Sequence, residues 1–275
     1  MPEVQAHAER LTESFGGAVL DRFTALTFTA LKTASPPPEA AYGSPLERVG
    51  RRGKHLLLHF APATFVVHLM QGGRLKPDEK QTARPRGGQA RWRFADGGAL
   101  LLTEAGTERK AGVWVVAGDP DDQPPLDHLG PEADQLDRAT LAELLAEHPM
   151  RLHGWLRDQR IVAGMGRRLA NEICHRAKLS PFAGTAKLDD DAVDRLHEAI
   201  GACIAESLAD ERKRKDMSSS KERPGAVHHR EGQACPVCGD DIRAVEYRSY
   251  TVNYCPTCQT GGRVLADNTT SRFLK

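Results

Sequence analysis

Apolar residues recur at helical spacing over residues 3–15, where Val4, Ala8, Leu11 and Phe15 fall on one face, and Gly16-Gly17 stops the run. From residue 18 to residue 116 the pattern changes to short apolar stretches. These predict strands over 18–28, 55–60, 64–69, 91–94, 99–102 and 113–116. Turn-rich stretches such as Ser35-Pro-Pro-Pro38 and Asp96-Gly-Gly98 separate them, so an antiparallel β domain with one N-terminal helix is expected. Residues 119–127 carry Asp-Pro, Asp-Asp and Pro-Pro and read as linker. Helical periodicity then returns over 140–148, 152–160 and 165–177, the last closed by Ser180-Pro181. A longer helix is expected over 190–208, with Val193, Leu196, Ile200, Ile204 and Leu208 on one face. Residues 213–232 are polar and rich in Ser, Lys and Gly, the composition of a mobile loop.

The last segment carries the sharpest chemical signal. Cys235-Pro-Val-Cys238 and Cys255-Pro-Thr-Cys258 are two C-x2-C pairs separated by sixteen residues. That is the spacing of a tetrahedral four-cysteine zinc ribbon. Pro236, Gly239 and Pro256 supply the turns that aim two thiolates at one ion. A thioredoxin-type pair would come singly beside a βαβ pattern, which this chain lacks. Four protein ligands leave no open position, so one structural Zn2+ is expected on Cys235, Cys238, Cys255 and Cys258. Cys174 and Cys203 fall in helical patterns and read as small buried hydrophobes. This thiol usage fits a reducing compartment.

At 275 residues the chain can hold two or three units with cores of their own. Its hydrophobic fraction of 40% and charged fraction of 27% are ordinary for a soluble protein. There is no apolar run of about 18 residues and no signal-peptide core near the N-terminus, so neither a membrane span nor a membrane partner is expected. A net charge of +1 conceals strong asymmetry. Residues 51–93 hold ten Lys/Arg against two acids, a local +8, and residues 119–147 hold nine acids against one Arg, a local −8. A second basic run, Arg212-Lys-Arg-Lys215, precedes the cysteines. Such an offset footprint suits a nucleic-acid face, although any one run serves equally as a solvated surface.

Three features in this order are specific. Met1-Pro2-Glu3 opens the chain, and the β region contains Gly50-Arg-Arg-Gly-Lys54-His-Leu. The helical region reads Asp158-Gln-Arg-Ile-Val-Ala-Gly164-Met-Gly166-Arg-Arg-Leu-Ala-Asn171-Glu172, and the end reads Tyr254-Cys-Pro-Thr-Cys-Gln259. Over essentially its whole length the chain resembles the formamidopyrimidine-DNA glycosylase / endonuclease VIII family. The resemblance implies an α+β protein with an N-terminal β-sandwich domain at 1–118 and a linker at 119–138. A helix–two-turn–helix domain would follow at 139–211, then a flexible loop at 212–232 and a zinc ribbon at 233–275. It also implies a monomer acting on double-stranded DNA with a damaged base or abasic site, in the cytoplasm and on the nucleoid.

In that family a secondary amine attacks C1′ and forms an iminium that favours strand elimination. Pro2 suits this role once Met1 is removed, since a free α-amine has a pKa of about 8 and is partly neutral near pH 7. Its ordinary role would be the first position of a helix. Glu3 would be the general acid/base, where otherwise it is a favourable first-turn acid. Lys54 matches the family's catalytic lysine, where otherwise it guards a strand edge. Gly164 and Gly166 open a helix able to cradle phosphate. Glu172 would line the lesion site, where otherwise it sits on a solvated helix face.

Departures from the family pattern bear on substrate choice. Arg167 stands where many relatives have a phosphate-binding asparagine, and His153 replaces a lysine. Gln71 replaces the wedge methionine, with Met70 adjacent. The Arg-Phe-Gly loop that fills the gap opposite an extruded purine has no match between Thr103 and Gly112. Tyr250 replaces the ribbon arginine, with Arg248 nearby. The activity expected is removal of a damaged, oxidised base with strand nicking. Two alternatives stand beside it: processing of abasic or atypical lesions, and damaged-DNA binding without chemistry.

Overall fold

Helix α1, Pro2–Phe15, begins with the one residue that has no N–H to leave unpaired at a helix start. It carries Val4, Ala8 and Leu11 into a hydrophobic core. The computed structural model describes residues 1–70, 72–106, 109–217, 222–247 and 250–265. The chain divides into two units. One holds Glu3–His128 with Lys215–Met217; the other holds Met1–Pro2, Leu129–Arg214 and the described residues beyond 221.

The first unit is a β-sandwich. Its strands are β1 Leu20–Ala25, β2 Leu46–Arg52, β3 His55–Phe60, β4 Ala63–His68, β5 Gly73–Pro77, β6 Gly88–Phe94, β7 Ala99–Glu104 and β8 Gly112–Val116. They form two four-stranded sheets, ordered β1-β6-β7-β5 and β2-β3-β4-β8. Every pairing is antiparallel, with Leu58 opposite Phe65 and Phe65 opposite Val115 in one sheet, and Trp92 opposite Leu100 in the other. Period-two alternation therefore aims Leu56, Leu58, Phe65, Val67, Trp92, Leu100 and Leu102 at a single core. Phe23, Phe65 and Trp92 knit the two sheets together, with ring centroids 5.1–5.8 Å apart at tilted or edge-on angles. Each such contact adds about 0.5–1.5 kcal/mol beyond the area it buries.

Two strands escape the apolar pattern. In β2 only Leu46 and Val49 are buried, because a bulge between Leu46 and Arg48 breaks the alternation. In β5 the buried side chain is Leu75. Both are edge strands, where polar residues are compatible with pairing on one side only. The strand expected over 18–28 shortens to β1.

The second unit begins with helices α2, Arg138–Glu147, and α3, Leu152–Trp155. Helix α4 spans Arg167–Arg176 and α5 spans Asp190–Arg212. Asp137 and Asp189 cap α2 and α5, their side chains accepting from Thr140 N and Ala192 N. Leu169, Ile173 and Cys174 of α4 pack with Leu196, Ile200 and Cys203 of α5 in one core. The helix expected over 152–160 is reduced to α3. Asp158 ends it by turning its carboxylate onto Arg160 N at 3.0 Å, a local bond that competes with helix. Helix α5 instead outlasts its expected end by four residues.

Strands β9, Arg243–Glu246, and β10, Thr251–Tyr254, pair as a hairpin, followed by the short helix α6, Pro256–Thr260. Val227, Cys235, Ile242 and Cys255 form a small core of their own. The expected flexible loop at 212–232 differs in its second half. Val227 is fully buried, and Arg230 reaches the carbonyls of Gly225, Ala226 and Ala234.

Candidate nucleic-acid interface and metal centre

The four Sγ atoms of Cys235, Cys238, Cys255 and Cys258 lie within 4.8 Å of one another, with Cys235–Cys258 at 3.9 Å and Cys238–Cys255 at 3.3 Å. Thiolates at about 2.3 Å from a tetrahedral ion stand about 3.8 Å apart, so this spacing fits one metal ion. Backbone builds the first knuckle: Gly239 N donates to Cys235 O at 2.9 Å, and Gly239 has φ +80, which favours glycine. Asp240 ties the knuckles together by accepting from Thr257 Oγ1 at 2.9 Å. Gln259 accepts from Cys255 N and donates to Leu179 O, which joins the cluster to the helices. His175 of α4 places Nε2 3.3 Å from Cys235 Sγ, the position of an outer partner that orients a ligand. Nothing in the spacing pointed to Asp240, Gln259 or His175.

Cys174 and Cys203 are buried thiols, and no disulfide joins any cysteine. Burial pushes the Cys203 thiol up to about 11 and the Cys174 thiol higher still. Both match the expectation of inert core residues.

Glu172 lies on α4, half-buried, and both its oxygens are engaged. Its carboxylate accepts from Ala226 N at 2.6 Å, Val227 N at 3.2 Å and His228 N at 2.8 Å. Gly225 is fitted to this contact, because a Cβ there would sit 2.8 Å from Glu172 Oε1. Its neighbour Asn171 is buried and faces His228 Nδ1 at 2.9 Å. Arg167 is the first residue of α4, behind Gly166 at the N-cap, so an arginine and the leading helix N–H groups share one helix end. That combination attracts anions. The bend before α4 is held by one side chain: Gln159 donates to Arg157 O and Met165 O and accepts from Gly164 N at 3.0 Å.

Pro2 is buried at the start of α1. Met1 is 3% exposed and belongs to the helical core, where a Cβ on Gly164 would collide with its Cε. With Met1 attached the proline nitrogen is an amide and carries no lone pair for attack. Glu3 occupies the first turn of α1.

In the sandwich unit, Arg52 pairs with His55, so Gly53 and Lys54 make a two-residue hairpin turn between β2 and β3. Gly53 has φ +56, the left-handed value that such turns require at their first position. Lys54 therefore sits at the hairpin tip. Arg51 braces the turn by donating to Gly53 O and to Gln5 Oε1. Arg52 pairs with Asp121 at 3.2 Å, so the acidic stretch offsets part of the basic one.

Beside Lys54, the rings of His55 and His68 lie 4.5 Å apart. Burial, then the His68 charge, pushes His55 down to about 3. His68 falls to about 4 through burial and the Lys54 charge. Neutral His68 accepts from Met70 N at 3.1 Å, and Met70, at φ +52 and 43% exposed, projects from this strand end. Gln71 and Arg248 lie outside the described residues. Tyr250 is half-buried and stacked between other groups.

The description "Formamidopyrimidine-DNA glycosylase N-terminal domain" matches residues 1–114, and the H2TH domain of the same family matches residues 129–219. The formamidopyrimidine-DNA glycosylase of Symbiobacterium thermophilum is 30% identical over 94% of this chain and 88% of its own. An uncharacterized formamidopyrimidine-DNA glycosylase-like protein of Mycobacterium tuberculosis is 41% identical, over 54% of this chain and 94% of its own. Among solved structures, the Lactococcus lactis formamidopyrimidine-DNA glycosylase bound non-covalently to DNA containing an AP site shares the fold. Its TM-score is 0.79 at 21% identity, covering 94% of this chain and 99% of that one. The two family domains thus follow one another in this chain, which belongs to the formamidopyrimidine-DNA glycosylase family.

Proposed function

We propose that this protein is a bifunctional DNA glycosylase and abasic-site lyase of base-excision repair, using Pro2 as its nucleophile after Met1 is removed. The observation that carries this is Pro2-Glu3 at the head of α1 in a chain of this family. The freed Pro2 amine forms a bond to C1′ of the extruded nucleotide while the C1′–base bond breaks and the base leaves protonated. Opening of the sugar, with a proton delivered to O4′ by Glu3, leaves an iminium between Pro2 and C1′. Its positive charge acidifies C2′, whose proton passes to the Glu3 carboxylate as the 3′ phosphate departs. A further elimination of the 5′ phosphate and hydrolysis of the iminium return the amine. Lys54, at the tip of a braced hairpin, contacts phosphate and assists the departing base.

The metal we assign to the cysteine cluster is one structural Zn2+, because four soft thiolates in tetrahedral spacing leave no open position. The partner is double-stranded DNA with a damaged base or abasic site, as in the Lactococcus relative's complex with DNA containing an AP site. The Arg-Phe-Gly loop is missing from the β7–β8 connection, which favours oxidised pyrimidines or abasic sites. We read the protein as a cytoplasmic monomer acting on the nucleoid, a reading that unpaired cysteines suit because a reducing compartment keeps thiols free. Incubation with a duplex holding one abasic site tests the chemistry: the processed protein nicks the strand, and absence of nicking would contradict it. One observation favours a second reading, binding without chemistry. Met1 is buried in the helical core, and in a chain that retains it the Pro2 nitrogen is an amide and not an amine.

A further inference from the structure

We propose that Arg157, laid on the ring of Tyr250, supplies the phosphate-gripping guanidinium at the ribbon turn. This rests on the DNA-repair reading above. The family pattern places a lysine at position 153 and an arginine at position 250; this chain has His153 and Tyr250. Nearly a hundred positions separate the two, yet their rings stack, with centroids 6.0 Å apart and planes at 14°. The two replacements therefore belong to one structure.

Tyr250 also stacks on Tyr247, at 4.7 Å and 10°, while Arg157 Cζ lies 4.0 Å from the Tyr250 ring centre. Tyr247, His153 and the Arg157 guanidinium are thus all packed around the one Tyr250 ring. His153 cannot replace the lost lysine's charge. It is 3% exposed, and burial followed by the Arg157 charge pushes its pKa down to about 4. A tyrosine hydroxyl supplies no cation in its place either. Arg157 does, and among the described residues no carboxylate pairs with it.

A stacked guanidinium uses its face for the ring and keeps its N–H groups around the edge, where they can reach two phosphate oxygens at once. Arg157 and Tyr250 are both half-buried, so neither is sealed in the core. The tyrosine ring fixes the guanidinium, which lowers the rotamer freedom lost on binding. A charge that family members carry on the ribbon is here carried by the segment that follows α3, with the ribbon supplying the platform.

The test is equilibrium binding of the full-length, metal-loaded protein to a duplex holding a tetrahydrofuran abasic analogue and to the undamaged duplex, across a salt series. Thermal melting of each variant confirms folding. Arg157→Ala is expected to weaken binding to the analogue about tenfold and to make the log–log salt slope shallower by about one unit. Arg157→Lys keeps the charge but loses the planar stack and should fall between. Tyr250→Phe keeps the platform and should bind within about twofold of wild type, whereas Tyr250→Leu should behave like Arg157→Ala. The proposal is overturned if Arg157→Ala leaves affinity and slope unchanged while wild type still prefers the analogue. It is equally overturned if Tyr250→Phe matches the Arg157→Ala loss, because the phenol would then hold the phosphate. A wild-type protein with no preference for the analogue would overturn the DNA-repair reading itself, a different result from a silent variant.

Discussion

Glu172 holds three backbone N–H groups of residues 226–228 with one carboxylate, and a glutamine can neither keep the charge nor offer both oxygens. Hydrogen bonds to charged groups contribute about 1.5–3 kcal/mol, so Glu172→Gln should lower stability by about that amount in denaturant unfolding. Gly225→Ala should lower it too, since its Cβ would press on Glu172 Oε1. The histidines set a pH dependence. His55 and His228 are pushed down to about 3, and His59, His68 and His153 to about 4, burial leading in each. In the unfolded chain they titrate near 6.5, so between pH 6.5 and about 4 the unfolded state binds more protons than the folded one. Stability therefore holds above pH 6.5 and falls as pH drops through that window. His55→Gln should flatten this fall measurably in chemical denaturation at stepped pH; an unchanged pH profile would contradict the assignment.

At the scale of elements, the ribbon is where sequence and structure agree most closely. Two C-x2-C pairs suffice because coordination geometry fixes the knuckles. Removing the ion with a chelator, or substituting Cys258→Ser, should unfold the ribbon locally and weaken DNA binding together, because ion binding supplies folding free energy. Far less than one zinc per chain in protein that binds DNA normally would contradict this. The strands β3, β4, β7 and β8 were legible because apolar residues dominate them, and β6 because Trp92 and Phe94 alternate with Arg91 and Arg93. The edge strands β2 and β5 were not, since polar side chains and a bulge erase their alternation. The turn after α3 was hidden for another reason. Asp158 and Gln159 shape it with side-chain hydrogen bonds that helical periodicity cannot register. The site divides likewise: Pro2, Glu3 and Lys54 stood out by motif, while Arg157 and His175 matter through partners distant in sequence.

For the whole molecule, an overall charge of +1 combines a +8 stretch at 51–93 with a −8 stretch at 119–147. Not all of the basic residues are free for DNA: Arg91 is buried in its pair with Asp78 at 2.7 Å, and Arg52 is paired at the surface with Asp121. Duplex affinity should nonetheless fall steeply with salt, by about 0.9 in the log–log slope for each phosphate neutralised. Arg167→Ala should weaken binding to all sequences alike and reduce that slope by about one unit. Borohydride reduction during reaction with an abasic-site duplex, followed by mass spectrometry of the trapped peptide, identifies the amine that attacks C1′. Protein lacking Met1 should yield a covalent adduct on Pro2, and protein retaining Met1 should bind DNA yet yield none. An adduct on an internal lysine, or trapping undiminished by the retained methionine, would contradict the account.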